Sequence, residues 1–142
     1  MLIVGEKINT SRKEAREAVE KRDAAFIRSL ARRQAEAGAH YIDVNCGTFL
    51  KEEPELLSWL VQEVQQELDN APLCIDSPNP VAVEAALKVH QGKAMLNSIS
   101  GEKERYEALL PLVVQYGCKV VVRCMDDQAG VRVGHRELGR IE

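Results

Sequence analysis

Three scarcities in this chain each exclude something. Aromatic residues make up only 4% of it, too few for a base-stacking platform, and no stripe of Lys and Arg supplies the footprint of a nucleic-acid binder. The formal net charge is -3, with acids and bases interspersed. Long apolar runs are missing too: none approaches the roughly 18 residues of a membrane span. Met1-Leu2-Ile3-Val4-Gly5 has neither the basic start nor the long apolar stretch of a secretion leader. The expected setting is the cytosol, with no membrane partner. Cysteine pairing is the third scarcity. Cys46, Cys74, Cys118 and Cys124 form no CxxC pair, so the spacing gives no structural zinc site and no metal is expected. The apolar surroundings of Cys74, Cys118 and Cys124 fit reduced, buried thiols.

What is present is the material of one domain: 142 residues, 45% hydrophobic and 29% charged. Five short runs, apolar on consecutive residues, read as strands: Leu2–Gly5, Tyr41–Asn45, Leu73–Asp76, Ala94–Asn97 and Lys119–Cys124. Such runs suit parallel strands covered on both faces. Helical patterns lie between them. The first runs from Asp23 as N-cap to Gly38 beyond its end, with Phe26, Ile27, Leu30 and Ala31 inward. The second follows Pro54, with Leu57, Leu60, Val61, Val64 and Leu68 at helical spacing. The third starts with Asn79 as cap and Pro80 at the first helical position, burying Val83, Ala86, Leu87 and His90. The fourth spans about Glu102 to Gly117, with Tyr106, Leu109, Leu110 and Val113 inward and a kink expected at Pro111. Residues 128–142 are rich in Gly and Arg and read as an irregular tail. The unit is strand–helix–strand, with right-handed crossovers.

Polar residues gather where each strand stops. Glu6, Lys7 and Asn9 follow the first; Asp43 and Asn45 end the second; Asp76 ends the third and Asn97 the fourth; Asp126 and Asp127 follow the fifth. In a parallel barrel all of these share one rim, where such enzymes hold their substrates. A rim of carboxylates and amides suits a neutral heterocycle bearing N–H donors and C=O acceptors, because an amide gives and takes at once. Phosphate would call for Gly-rich loops or basic residues, and Gly47 and Gly101 are isolated. The plainer reading is that an Asp after a strand caps a helix or forms a turn. Ser77 and Ser98 fit that reading as caps, and Asp126 and Asp127 as turn formers. Repetition in four successive units favours a site. His40 and His90 read as structural, His135 falls in the tail, Trp59 packs in the second helix, and no Ser/His/Asp or Cys/His set assembles. Cys46, on the rim, is a candidate reactive thiol that competes with a buried one.

Gly5-Glu6-Lys7-Ile8-Asn9, Gly38-Ala39-His40-Tyr41-Ile42-Asp43-Val44-Asn45, Cys74-Ile75-Asp76-Ser77 and Ala94-Met95-Leu96-Asn97-Ser98 together resemble the pterin-binding methyltransferases. The nearest group is the methyltetrahydrofolate:corrinoid protein methyltransferases. The folate domain of cobalamin-dependent methionine synthase and dihydropteroate synthase are more distant. The resemblance runs from Met1 to about Gly130. It implies an α/β fold of TIM-barrel type that takes methyltetrahydrofolate as substrate in its mouth. It implies a partner protein carrying a corrinoid, to whose Co(I) centre the N5-methyl group moves. A methyl amine is a poor electrophile, so N5 must gain positive character as its bond to the methyl breaks. By position, Asp76 and Asn97 match the family's pterin-binding carboxylate and amide. Asp43 and Asn45 match rim positions of the second strand. Glu6, Asn9, Ser77 and Ser98 match residues that organise the rim.

Length is the departure. A full barrel takes about 250 residues and eight strands, whereas five strand units are legible here. In the family, further pterin contacts come from later strands. The expectation is therefore an incomplete barrel whose open edges favour self-association. Two functional readings follow: a methyltransferase or its pterin-binding part, and a non-catalytic fragment. Dihydropteroate synthesis is a third, opposed by the lack of a basic pyrophosphate-binding loop.

Overall fold

The five apolar runs become five parallel strands in the order β1-β2-β3-β4-β5: β1 Val4–Asn9, β2 Tyr41–Asn45, β3 Leu73–Asp76, β4 Met95–Ser100 and β5 Lys119–Arg123. The computed structural model describes residues 1–123. The tail 128–142, with Cys124, Asp126, Asp127 and His135, lies outside the described residues. Between the strands run α1 (Lys13–Glu20), α2 (Ala24–Glu36), α3 (Glu53–Glu67), α4 (Pro80–Val89) and α5 (Lys103–Tyr116). This is an α/β arrangement whose open sheet matches incomplete TIM-barrel units.

The structure departs from the sequence expectations in several places and adds a helix, α1, that they did not include. Strand β1 enters later and runs further than Leu2–Gly5, because its pairing slips between Gly5 and Ile8 and the polar Glu6 and Lys7 ride inside the slip. The Lys7 N–H donates to Gln34 Oε1 at 2.8 Å. Gly5 leaves room for that amide, since a Cβ there would lie 2.6 Å from Gln34 Oε1. Strand β4 likewise continues past Asn97, through a slip between Asn97 and Ile99. Ser98 is thus a buried strand residue rather than a cap; the N-cap of α5 is Glu102. Helix α1 had no legible stripe, because it buries only Ala15, Ala18 and Val19. Tyr106 was expected inward and is 46% exposed, while Leu109 and Leu112 carry the buried line of α5.

The caps behave as their residue types dictate. Asp23 accepts from Phe26 N at 3.0 Å and Asn79 from Val81 N at 3.1 Å. Pro54 and Pro80 sit at the starts of α3 and α4, where a missing N–H costs nothing. Gly117 closes α5 at φ 61, a left-handed turn that suits glycine.

The sheet has two unlike faces. Its outer face, covered by helices, carries the main core. Ile42, Val44, Leu73, Ile75 and Leu96 meet Ile27, Leu57, Leu60, Val61, Val64 and Val83 there. Each such side chain contributes about 1.5–3 kcal/mol through burial. The inner face carries a small cluster, Tyr41, Cys74 and Met95 with Val4 and Val121. Above that cluster the inner face turns polar. At the opposite end of the strands, His90 ties the elements together: its Nε2 accepts from Leu73 N at 3.1 Å and its Nδ1 lies 3.1 Å from Gly92 O. Gln65 joins there by donating to Ala71 O and Gln91 O. His40 is structural too, its Nδ1 accepting from Ile3 N at 3.0 Å.

Candidate functional site

Side chains alternate along a strand, so Asp43 and Asn45 leave β2 on one face. Register then selects their neighbours: Asp43 stands beside Cys74, and Asp76 beside Asn97. All four polar residues project from the inner face at the carboxyl ends of the strands. They form two crossed pairs. Asn45 Nδ2 donates to Asp76 Oδ2 at 2.9 Å, and Asn97 Nδ2 donates to Asp43 Oδ2 at 3.3 Å. The second pair spans β4 to β2, over β3.

Asp43 is 1% exposed. Burial, then the Asp76 charge, pushes its carboxyl up to about 7, while the amide of Asn97 and the thiol of Cys74 pull the other way. Glu6 adds a smaller push in the same direction as Asp76. Near neutral pH Asp43 therefore exchanges a proton readily, able to act as hydrogen-bond donor or acceptor. The neighbouring Cys74 thiol is held protonated by burial and by Asp43.

The rim is braced from the β2–α3 connection. Asn45 Oδ1 accepts from Gly47 N at 3.0 Å, and Thr10 N donates to Asn45 O at 3.0 Å. Asn9 Oδ1 accepts from both the N–H and the hydroxyl of Ser11, turning the chain out of β1. Ser77, buried beside Asp76, donates to Glu53 Oε1 at 2.5 Å and accepts from Asn79 N at 3.1 Å. Cys46 is not a reactive thiol. It is fully buried, its Sγ lies 3.7 Å from Glu53 O, and burial beside Glu53 pushes its pKa up to about 12.

Of the residues singled out in the sequence, Asp43, Asn45, Asp76 and Asn97 come together. Glu6 joins them through its charge, and Asn9 and Ser77 shape adjoining loops. Glu53 escaped sequence reasoning, because an acid in the first turn of a helix is an ordinary feature. Its signal was a carboxylate directly before Pro54 with Ser77 and Asn79 one unit later. No group of three or more His, Cys, Asp and Glu among the described residues could hold a metal ion. An open hollow of about 650 Å³ begins at Pro78 on the same rim, but Glu102, Glu104, Lys103 and Arg105 line it with both signs of charge.

Comparison with known proteins identifies the family. The profile of the family described as "Pterin binding enzyme" matches residues 5–137. The chain is 45% identical over 112 residues to the methylcorrinoid:tetrahydrofolate methyltransferase of Eubacterium limosum, a match covering 79% of this chain and 41% of that protein. The chain thus spans about two fifths of the length of that relative.

Proposed function

The chain belongs to the pterin-binding enzyme family, and from that premise we propose that its inner rim binds the pterin ring of a tetrahydrofolate. The observation that carries this reading is the pair of crossed amide–carboxylate contacts, Asn45–Asp76 and Asn97–Asp43. A pterin presents adjacent N–H donors from its amino group and ring, which a carboxylate can accept together. It also presents a carbonyl and ring nitrogens, to which an amide can donate. Asp76 and Asn97 take the first role, orienting the ring. Asp43 and Asn45 stand behind them. Asp43 is also the group able to carry a proton near pH 7. Glu6, Asn9, Ser77 and Ser98 organise the rim around them.

The proposed reaction class is methyl transfer between tetrahydrofolate N5 and a corrinoid carried by a partner protein. The name of the Eubacterium limosum relative makes methylcorrinoid the donor and tetrahydrofolate the acceptor, the reverse of the direction expected from the sequence resemblance. One site serves both directions, because forward and reverse passages share a transition state. With tetrahydrofolate as acceptor, the N5 lone pair takes the methyl carbon, the bonding pair stays on cobalt, and the N5 proton leaves. In the other direction N5 must be protonated or hydrogen-bonded as its bond breaks.

Calorimetry with tetrahydrofolate and methyltetrahydrofolate tests the binding reading. Asp76→Ala is expected to weaken binding at least 10-fold, about 1.4 kcal/mol or more. Equal binding by variant and parent removes Asp76 from the site. The second reading is a non-catalytic pterin-binding unit. Methyl transfer to or from a corrinoid protein by this chain alone would end it.

Among the described residues, exposed apolar side chains at the two sheet edges, Leu2 and Ile3 beside β1 and Val122 on β5, support self-association. Sedimentation showing only monomer at high concentration overturns that. No helix among the described residues is long and apolar enough to cross a membrane. The free cysteines among the described residues, Cys46, Cys74 and Cys118, support a reducing, cytosolic setting. Residues 1–142 are read as one partial barrel domain.

A further inference from the structure

Glu53 is a buried carboxylate, 5% exposed, that the proposed chemistry does not use. It opens α3, where the helix N-terminus favours negative charge. A buried carboxylate is costly unless its oxygens are satisfied. Here one oxygen accepts from Ser77 Oγ at 2.5 Å and the other from Asn79 Nδ2 at 3.2 Å. No cation pairs with it in these contacts. Both partners belong to the segment joining β3 to α4, and Ser77 directly follows Asp76.

The same β2–α3 connection reaches Asp76 a second way. Gly47 N–H holds Asn45 Oδ1, and Asn45 Nδ2 holds the Asp76 carboxylate. Asp76 is therefore fixed from two sides: through its side chain by Asn45, and through its backbone neighbour by Glu53 and Ser77. The Ser77 hydroxyl is also fully engaged. It donates to Glu53 and accepts from Asn79 N at 3.1 Å, so its rotamer is set. Asn79 in turn caps α4. One carboxylate thus fixes both the residue after Asp76 and the start of the next helix.

We propose that Glu53 is a positioning residue that, through Ser77, holds the end of β3 so that Asp76 presents its carboxylate to a bound pterin. This rests on the pterin-binding reading above. Glu53 does not touch the ligand. Its substitution changes affinity by letting the strand end drift, and the loss depends on Asp76 being present.

The test is calorimetric binding of tetrahydrofolate to the full 142-residue chain and its variants, well below each variant's melting temperature. Glu53→Ala and Ser77→Ala are each expected to weaken binding on the order of 10-fold, and the double variant no further, because neighbours in one network are non-additive. Glu53→Gln, which keeps an acceptor for Ser77 and gives up the one facing Asn79 Nδ2, restores affinity to within about threefold of the parent, because Asp76 is held through Ser77. In an Asp76→Ala background, Glu53→Ala has no further effect. Val61→Ala, a core truncation elsewhere on α3, lowers the melting temperature and leaves affinity alone. That separates positioning from general destabilisation. A parent chain that binds, with Glu53→Ala binding equally well, overturns the positioning role alone. Loss that persists undiminished in the Asp76→Ala background also overturns it. A parent chain that takes up no tetrahydrofolate overturns the underlying reading, and this role with it.

Discussion

The two faces of the sheet follow opposite rules. On the outer face, strand residues such as Val44, Ile75 and Leu96 are fully buried against helices. On the inner face, the apolar cluster is small and lies beneath two carboxylates and two amides. In a closed barrel the inner face is a packed core as well. Here, among the described residues, the outer core is built from five strands and their own helices, whereas the inner face meets only its own neighbours. The difference separates what holds the chain together from what it offers a ligand. The outer face supplies stability. The inner face carries a charge cluster that burial makes costly.

The sharpest way to break that contrast is to truncate one residue on each face. Leu60, fully buried under the outer face, is expected to cost about 2–5 kcal/mol as Leu60→Ala. Met95→Ala, on the inner cluster, should cost less than half of that, since fewer packed neighbours surround it. Equilibrium denaturation in urea reads both. Equal losses would mean that the inner face is packed as tightly as the outer, contrary to the separation drawn here.

Next in size is the charge held on the inner face. The Asp43 carboxyl is raised from 3.8 to about 7, by burial first and Asp76 second. Its stabilising contribution is full below the unfolded value and is lost as pH rises towards 7, because the unfolded chain gives up its proton first. Asp43→Asn keeps an acceptor for Asn97 and removes the ionisation. The variant should gain on the parent between pH 4 and pH 8, on the order of 1–3 kcal/mol at the upper end. Urea midpoints at the two pH values check this. A difference that stays flat with pH would show that Asp43 titrates as it does in the unfolded chain.

What the sequence made legible follows the same division. Strands β2 and β3 match their expected bounds, Tyr41–Asn45 and Leu73–Asp76, because both are short, mostly apolar runs that stop at a polar residue. Strand β1 did not, because a pairing slip carries Glu6 and Lys7 inside it. Helix α1 left no trace, since small residues bury little area at any spacing. The four candidate site residues were visible as polar residues at or near the strand ends. Their pairing was not: the contact from Asn97 to Asp43 passes over an intervening strand, and sequence spacing says nothing about which residues meet across two ladders. Ser77 was visible as a possible cap, but its bond to Glu53 joins two units of the fold and has no local signature.

The smallest expected effect lies at the opposite end of the sheet, and its sign runs against that of Asp43. Burial lowers the pKa of His90, against a smaller opposing pull from Gly92 O. The neutral ring suits its surroundings: Nε2 must accept from Leu73 N, which leaves Nδ1–H to donate to Gly92 O. Protonation would put a second N–H where an acceptor is needed. The folded value lies below the unfolded one, so this contribution is present above about pH 6.5 and is lost as pH falls through the lowered value. His90→Gln should therefore flatten the acid side of the stability curve, while lowering stability at pH 8 by about 1 kcal/mol through the lost Leu73 contact. Combined with Asp43→Asn, the two changes should add, because they sit at opposite ends of the sheet and share no partner. A measured coupling between them would mean that the proposed binding end and the far end of the sheet respond as one unit.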